Sequence, residues 1–164
     1  MARLLVVHHS PTPTLRSLSE AVVAGTRDEA LSGVEVVGRE ALEADADDVR
    51  AADGFLLGTP ANFGYMSGAL KHFFDTIFLQ SGGDLGQDGS AGQGAAGGSR
   101  RPYGLWVHGR YDTTGAVRSV RSIVQALGWT LSAEVLEVLG DVGEPQLEQA
   151  YELGGTLAAL LCED

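Results

Sequence analysis

The sequence predicts an α/β fold, a five-stranded parallel sheet in the order 2-1-3-4-5 with helices on both faces. Three observations carry that expectation. Short runs that are apolar throughout, rather than alternating, read as strands covered on both sides. Segments with apolar residues at helical spacing lie between those runs, and the two kinds alternate along the chain, as right-handed crossovers between parallel strands require. At 164 residues with 44% hydrophobic content the chain has the size and apolar content of one domain, 1–164.

"RLLVVHHS" supplies strand one, Leu4 to Val7, ended by polar turn formers. From Thr14, residues Leu15, Leu18, Val22 and Gly25 recur at helical spacing. "VEVVG" at 34–38 is a β-branched second strand, and Asp45 to Ala52 reads as one or two returning helical turns. "GFLLGTP" at 54–60 is the third strand. Leu70, Phe73, Phe74 and Ile77 then fall at i, i+3, i+4 and i+7 on a helix whose start Ser67 caps. "YGLWVHG" at 103–109 and an unbroken "WTLSAEVLEV" at 129–138 complete the sheet. Val117, Val120, Val124 and Leu127 mark the helix between them, and Pro145 opens the last helix. The stretch 81–101 is dense in glycine and aperiodic, either an expanded flexible loop or a lid beside a site.

The formal net charge of -11 repels phosphate backbones and anionic lipid heads, which argues against nucleic-acid and membrane-surface roles. One cysteine, Cys162, allows no intrachain disulfide and suits a reducing compartment, so a cytoplasmic setting is expected. His8 and His9 lack the neighbours of a metal site, and His72 reads as a solvated residue. "GYMSG" is not a nucleophile elbow, because Ser67 stands fourth rather than third.

In such a sheet, ligands sit beyond the carboxyl ends of the strands near the switch between strands one and three. Three loops meet there. "HSPTPTL" places Ser10, Thr12 and Thr14 before a helix, where hydroxyls and free amides suit a phosphate dianion; equally, Thr14 simply caps the helix. Pro60 and Gly64 bracket Ala61, Asn62 and Phe63, which lets backbone amides approach a flat ligand while Phe63 offers an aromatic face. "HGRYDTTG" carries His108, Gly109, Tyr111, Asp112 and Gly115; Asp112 either tunes a ligand or caps the next helix. Neither the Walker loop nor the Gly-x-Gly-x-x-Gly dinucleotide pattern is present.

"HSPTPTLRSLSEAV" together with "GTPANFGYMSGALKHFFD" resembles the phosphate loop and first ring loop of the flavodoxin-like NAD(P)H-dependent FMN reductases and quinone reductases. The resemblance extends over nearly the whole chain. It implies a flavodoxin-like α/β/α sandwich with FMN as cofactor and NAD(P)H as co-substrate. By position it assigns Ser10, Thr12, Thr14 and Leu15 to the phosphate and Pro60, Ala61, Asn62, Phe63 and Gly64 to the isoalloxazine. His108, Gly109, Tyr111, Asp112 and Gly115 are assigned to its other side. It implies a small-molecule electron acceptor and a homodimer or homotetramer; flavin chemistry requires no side-chain acid or base, so no catalytic residue is assigned, and the residues offer no metal site. Loops of this kind often read Ser/Thr-x-Thr-Gly-Asn-Thr. Here Pro13 removes a backbone donor and Leu15 a hydroxyl, so weaker phosphate binding and an exchangeable flavin are expected.

An electron carrier of flavodoxin type is the alternative, and the acidic surface suits basic redox partners; the unbroken fifth strand argues against a long-chain flavodoxin. A phospho-acceptor receiver would want an acid after strand three, where Gly58 and Thr59 stand.

Overall fold

The computed structural model describes residues 1–81, 83, 88 and 100–162. Strand β1 (Ala2–His8) lies between β2 (Val34–Glu40) and β3 (Gly54–Asn62), and β5 (Pro102–Gly109) continues the sheet from β3. Two short strands, β6 (Thr130–Leu131) and β7 (Leu136–Leu139), share the far side of β5. All of these pairings are parallel. The two-residue β4 (Tyr65–Met66) is the exception and folds back antiparallel on β3. The order β2-β1-β3-β5-β6 is the flavodoxin-like arrangement expected from sequence, with β4 added in the numbering.

Successive strand residues feed opposite cores, as the pleat dictates. Leu4, Val6, Leu56 and Trp106 pack with α1 (Pro13–Thr26) and α5 (Glu144–Ala159). Leu5, Val7, Phe55, Leu57 and Leu105 pack on the other face, against α2 (Ala46–Ala51), α3 (Gly68–Ile77) and α4 (Thr114–Ala126). The stripe Leu70, Phe73, Phe74 and Ile77 is at most 1% exposed, and each such side chain contributes about 1.5–3 kcal/mol of burial. No helix is long and apolar enough to cross a membrane among the described residues.

Two expectations need correction. Thr12, not Thr14, caps α1. Pro13 forces its predecessor into extended backbone, and Thr12 at φ -113° and ψ 158° has the geometry of a cap, its hydroxyl accepting the Leu15 N–H at 3.2 Å. Pro13 at the first helical position gives up an N–H that no helical bond uses. The fifth strand is also not continuous. Leu131 pairs with Tyr103 and Leu136 with Trp106, five steps against three, so two extra residues bulge between β6 and β7. The bulge shows as a change of phase: Ala133 and Val135, two residues apart, reach opposite cores, and Val135 and Leu136 stand next to each other. The expected flexible loop at 81–101 falls almost wholly outside the described residues.

Helices α1 and α5 cross where both carry glycine. A Cβ on Gly154 would lie 1.9 Å from the Val22 carbonyl oxygen, and one on Gly25 would lie 1.9 Å from that of Tyr151. At the neighbouring Gly155 an added Cβ meets only the Gly25 carbonyl oxygen, at 3.5 Å. Gly154→Ala is therefore expected to lower stability by about 1–3 kcal/mol. Gly155→Ala is expected to be neutral or stabilising by up to about 1 kcal/mol through helix propensity. Urea midpoints of the two variants check this, and equal effects would refute the close crossing.

Candidate functional site

Three loops converge at the carboxyl edge of the sheet around a cleft of 630 Å³, a size that suits a nucleotide-like ligand. Every residue singled out from the sequence lines it except Ser10 and Gly115, and Pro11 and Arg110 line it as well.

The first wall is the β1–α1 loop. Ser10 is 7% exposed, and its hydroxyl lies 2.8 Å from His8 Nδ1, so it braces the strand end rather than facing the cleft. Pro11 and Pro13 have no amide hydrogen to give. The Leu15 N–H goes to the Thr12 hydroxyl and the Arg16 N–H to the Thr12 carbonyl. That leaves the Ser10, Thr12 and Thr14 N–H groups without a hydrogen bond among the described residues, with the Thr12 and Thr14 hydroxyls beside them at the positive end of α1. Leu15 lines the cleft as an apolar surface, only 3% exposed.

The second wall, expected as a loop, is a β-hairpin. Asn62 pairs with Tyr65 and Ala61 with Met66, and the connecting residues Phe63 and Gly64 both have positive φ, 51° and 74°. Two such residues in succession match the twist of flanking strands. Gly64 takes this region without steric cost, whereas Phe63 holds it under strain of the kind found at ligand-binding sites. The base is tied down by Thr59, which is wholly buried: its hydroxyl donates to the Pro60 carbonyl at 2.8 Å and accepts the Ser67 N–H at 2.9 Å. Ser67 in turn caps α3 by accepting the Leu70 N–H at 3.1 Å.

The third wall joins β5 to α4. His108, 7% exposed, is 2.7 Å from the Gly140 carbonyl through Nε2; a carbonyl only accepts, so Nε2 carries the hydrogen. His108 thereby locks the end of β5 to the turn after β7. Asp112 accepts the Thr114 N–H at 2.9 Å, and that bond is the main cause holding its carboxyl below the ordinary range. It serves the helix start, the plainer of its two expected roles. Gly115 acts at a distance from the ligand space: a Cβ there would lie 2.0 Å from the Gly64 carbonyl oxygen. Its glycine lets α4 touch the hairpin tip backbone to backbone. Arg110 was missed in the sequence because its neighbours carried the pattern; it pairs with Asp141 at 3.0 Å.

The rim is aromatic. Phe63 and Tyr111 are almost fully exposed, so the protein itself buries neither ring, and a planar ligand between the second and third walls covers apolar surface on both. The phosphate-sized end, the backbone hairpin and the aromatic rim thus fit a flavin nucleotide.

A sequence profile of the NADPH-dependent FMN reductase family matches residues 17–135. A flavodoxin from Aquifex aeolicus is 36% identical over 85 residues, covering 52% of this chain and 43% of that protein. An NAD(P)H dehydrogenase (quinone) from Acidithiobacillus ferrooxidans is 31% identical over 109 residues, covering 54% and 51%. The chain thus spans about half the length of these curated relatives. Among solved structures, an archaeal flavodoxin superposes with a TM-score of 0.75 at 17% identity, covering 97% of this chain and 98% of that one. A WrbA-like flavodoxin from Agrobacterium tumefaciens does so at 0.70 and 16%, covering 98% of each. At such identities the likeness is one of fold.

His8 gives the site a pH signature. Burial is the main cause that lowers its pKa, opposed by the Glu40 carboxylate, with His9 adding to the lowering. The folded protein therefore favours neutral imidazole. Its contribution is fully present above the ordinary histidine pKa of about 6.5 and is lost as pH falls through that value toward the depressed one. Wild type is expected to lose more stability between about pH 7.5 and pH 5.5 than His8→Asn, whose amide replaces Nδ1 without titrating. Parallel urea midpoints in the two variants would contradict this.

Proposed function

The chain belongs to the NADPH-dependent FMN reductase family, and we propose that it passes a hydride from a reduced nicotinamide through FMN to a small acceptor, a quinone or a free flavin. The observation that carries this reading is the meeting, in one cleft, of a capped hydroxyl loop and a positive-φ hairpin below an aromatic rim. Two-electron chemistry is what FMN supplies there; binding, orientation and access are what the protein supplies.

The roles divide along the cleft. Thr12, Thr14 and the Thr14 N–H receive the phosphate, assisted by the positive end of α1. The two prolines and Leu15 leave few donors for a dianion, so the flavin is held loosely and exchanges. The backbone from Pro60 to Gly64 runs along the ring edge, and because Thr59 and Gly115 fix it from behind, its donors need not reorganise when a ligand arrives. Phe63 and Tyr111 flank the ring and keep water from its faces. Asp112 is committed to the helix start and His108 to Gly140, so neither serves as acid or base. The hydride chemistry that FMN would supply when bound needs no side-chain acid or base.

The net charge of -11 keeps a second reading in play, a carrier that delivers electrons to a basic protein partner. The break between β6 and β7 removes the unbroken fifth strand as an argument against it, although two extra residues are a bulge rather than an inserted loop. Oxidation of NADPH by the FMN-loaded protein above the free-FMN blank selects the enzyme. Electron delivery to a basic protein acceptor without NADPH oxidation selects the carrier.

Protein titrated with FMN is expected to quench the flavin fluorescence and shift its spectrum, and the bound flavin is expected to bleach anaerobically with NADPH. Thr12→Val is expected to raise the Kd for FMN on the order of tenfold, since hydrogen bonds to charged groups are worth about 1.5–3 kcal/mol. It is also expected to cost about 1 kcal/mol of stability through the lost cap. Absence of both the spectral shift and the fluorescence quenching would sink the reading.

A further inference from the structure

A second groove, of 840 Å³, runs between α4 and the edge of the sheet at β6 and β7. One end begins at Thr114 and Glu137, and Glu137 accepts the Thr113 hydroxyl at 2.8 Å. Asp112, the residue before Thr113, lines the cleft of the candidate site. The groove and the cleft therefore share the β5–α4 connection and lie on either side of it. Along the groove α4 presents Arg118 and Arg121, about 6 Å and 10 Å beyond Thr114 at the helical rise.

These arginines stand out against the rest of the chain. Among the described residues α4 is the one helix with net positive charge, two arginines and no acid, in a protein of charge -11. The Arg118 guanidinium has no ion pair or side-chain hydrogen bond among the described residues. By contrast, Arg3, Arg39, Arg50, Lys71 and Arg110 are paired with carboxylates. Arg121 lines the groove beside Tyr103, itself 3% exposed, and a guanidinium carries a planar fork of donors. The floor includes Trp129, 5% exposed and stacked on Phe55 with ring centroids 3.7 Å apart; its indole N–H has no hydrogen-bond partner among the described residues. Gln125 and Ser122 add neutral donors and acceptors. Glu137 is the opposing charge, and it lies at the end nearest the cleft, where a ribose hydroxyl rather than a phosphate suits a carboxylate acceptor.

We infer that this groove takes the adenosine end of the reduced nicotinamide co-substrate, and that Arg118 and Arg121 bind the 2′-phosphate that distinguishes NADPH from NADH. The assignment rests on the reductase reading above. With the nicotinamide in the cleft against the ring, the pyrophosphate and riboses cross the β5–α4 connection, and the adenosine lies along α4. A phosphate monoester offers a planar guanidinium two oxygens at once, and two arginines one helical turn apart on the same face converge on a single dianion.

Two measurements test it. Calorimetric titration with adenosine 2′,5′-bisphosphate does not depend on turnover: binding to wild type that weakens on the order of tenfold or more in Arg118→Gln/Arg121→Gln is expected. No binding to wild type, or equal binding by both proteins, overturns the inference. Steady-state kinetics on the FMN-loaded proteins supply the second arm. The double variant is expected to raise the ratio of KM for NADPH to KM for NADH on the order of tenfold. An unchanged ratio refutes the inference while leaving the reductase reading intact. Bisphosphate binding that depends on the arginines in a protein that oxidises neither coenzyme refutes the reductase reading instead. Both side chains are exposed, so unchanged thermal melting is the expected folding control, and Arg118→Lys, which keeps the charge but loses the fork, is expected to restore part of the binding.

Discussion

The site depends on places where two backbones touch because neither carries a side chain there. At the amino end of α4, Gly115 lies so close to the Gly64 carbonyl that a single methyl group would separate them. That contact sets the distance between the second and third walls of the cleft. A comparable crossing of α1 and α5 at Gly25 and Gly154 sets the height of α1 and hence of the Thr12 loop that begins it. Interiors pack like crystals, so a shift of one helix by a methyl diameter is transmitted rather than absorbed. The cleft is thus shaped from behind, by residues most of which never face a ligand.

The same economy appears in the hydrogen bonds. Thr59 is fully buried, and its hydroxyl both donates and accepts, joining the end of β3 to the start of α3. His108 joins β5 to the turn after β7, and Ser10 braces His8 at the end of β1. Ser10 and His108 look like ligand contacts in the sequence, yet each is already hydrogen-bonded within the fold. Leaving such a partner unpaired costs about 1–3 kcal/mol, which is reason enough for these residues to occupy their positions.

The consequence for the cofactor end is a lean loop. Two prolines and a capped first turn leave a few backbone amides and two threonine hydroxyls for a dianion, in a protein with net charge -11. Long-range electrostatics oppose phosphate binding here, and the local dipole of α1 must carry it. On α4 the balance is reversed, since two arginines with no acid on their own helix form a positive strip in a protein of net negative charge. A molecule with phosphates at separate points meets two different environments along this edge, one built from hydroxyls and one from guanidinium groups.

The sequence by itself determined the layers and their order. Continuous apolar runs and i, i+3, i+4 stripes are local signals, and a parallel sheet covered on both faces imposes them on every element, so Leu4 to Val7 and the stripe from Leu70 to Ile77 were legible without coordinates. The cleft residues were legible too, because loops at the carboxyl ends of parallel strands lie on one edge whatever their details. Tertiary structure decided what those residues do. The bulge between β6 and β7 leaves only a change of apolar phase at Val135 and Leu136, which a strand covered on both faces also permits, and the hairpin at Phe63 and Gly64 is set by φ values that a single sequence does not reveal. Whether Ser10 faces a ligand or His8, and whether Gly115 lines a pocket or props a wall, depends on distances between segments far apart in the chain. Such distances follow from how whole helices pack, and no local spacing encodes them.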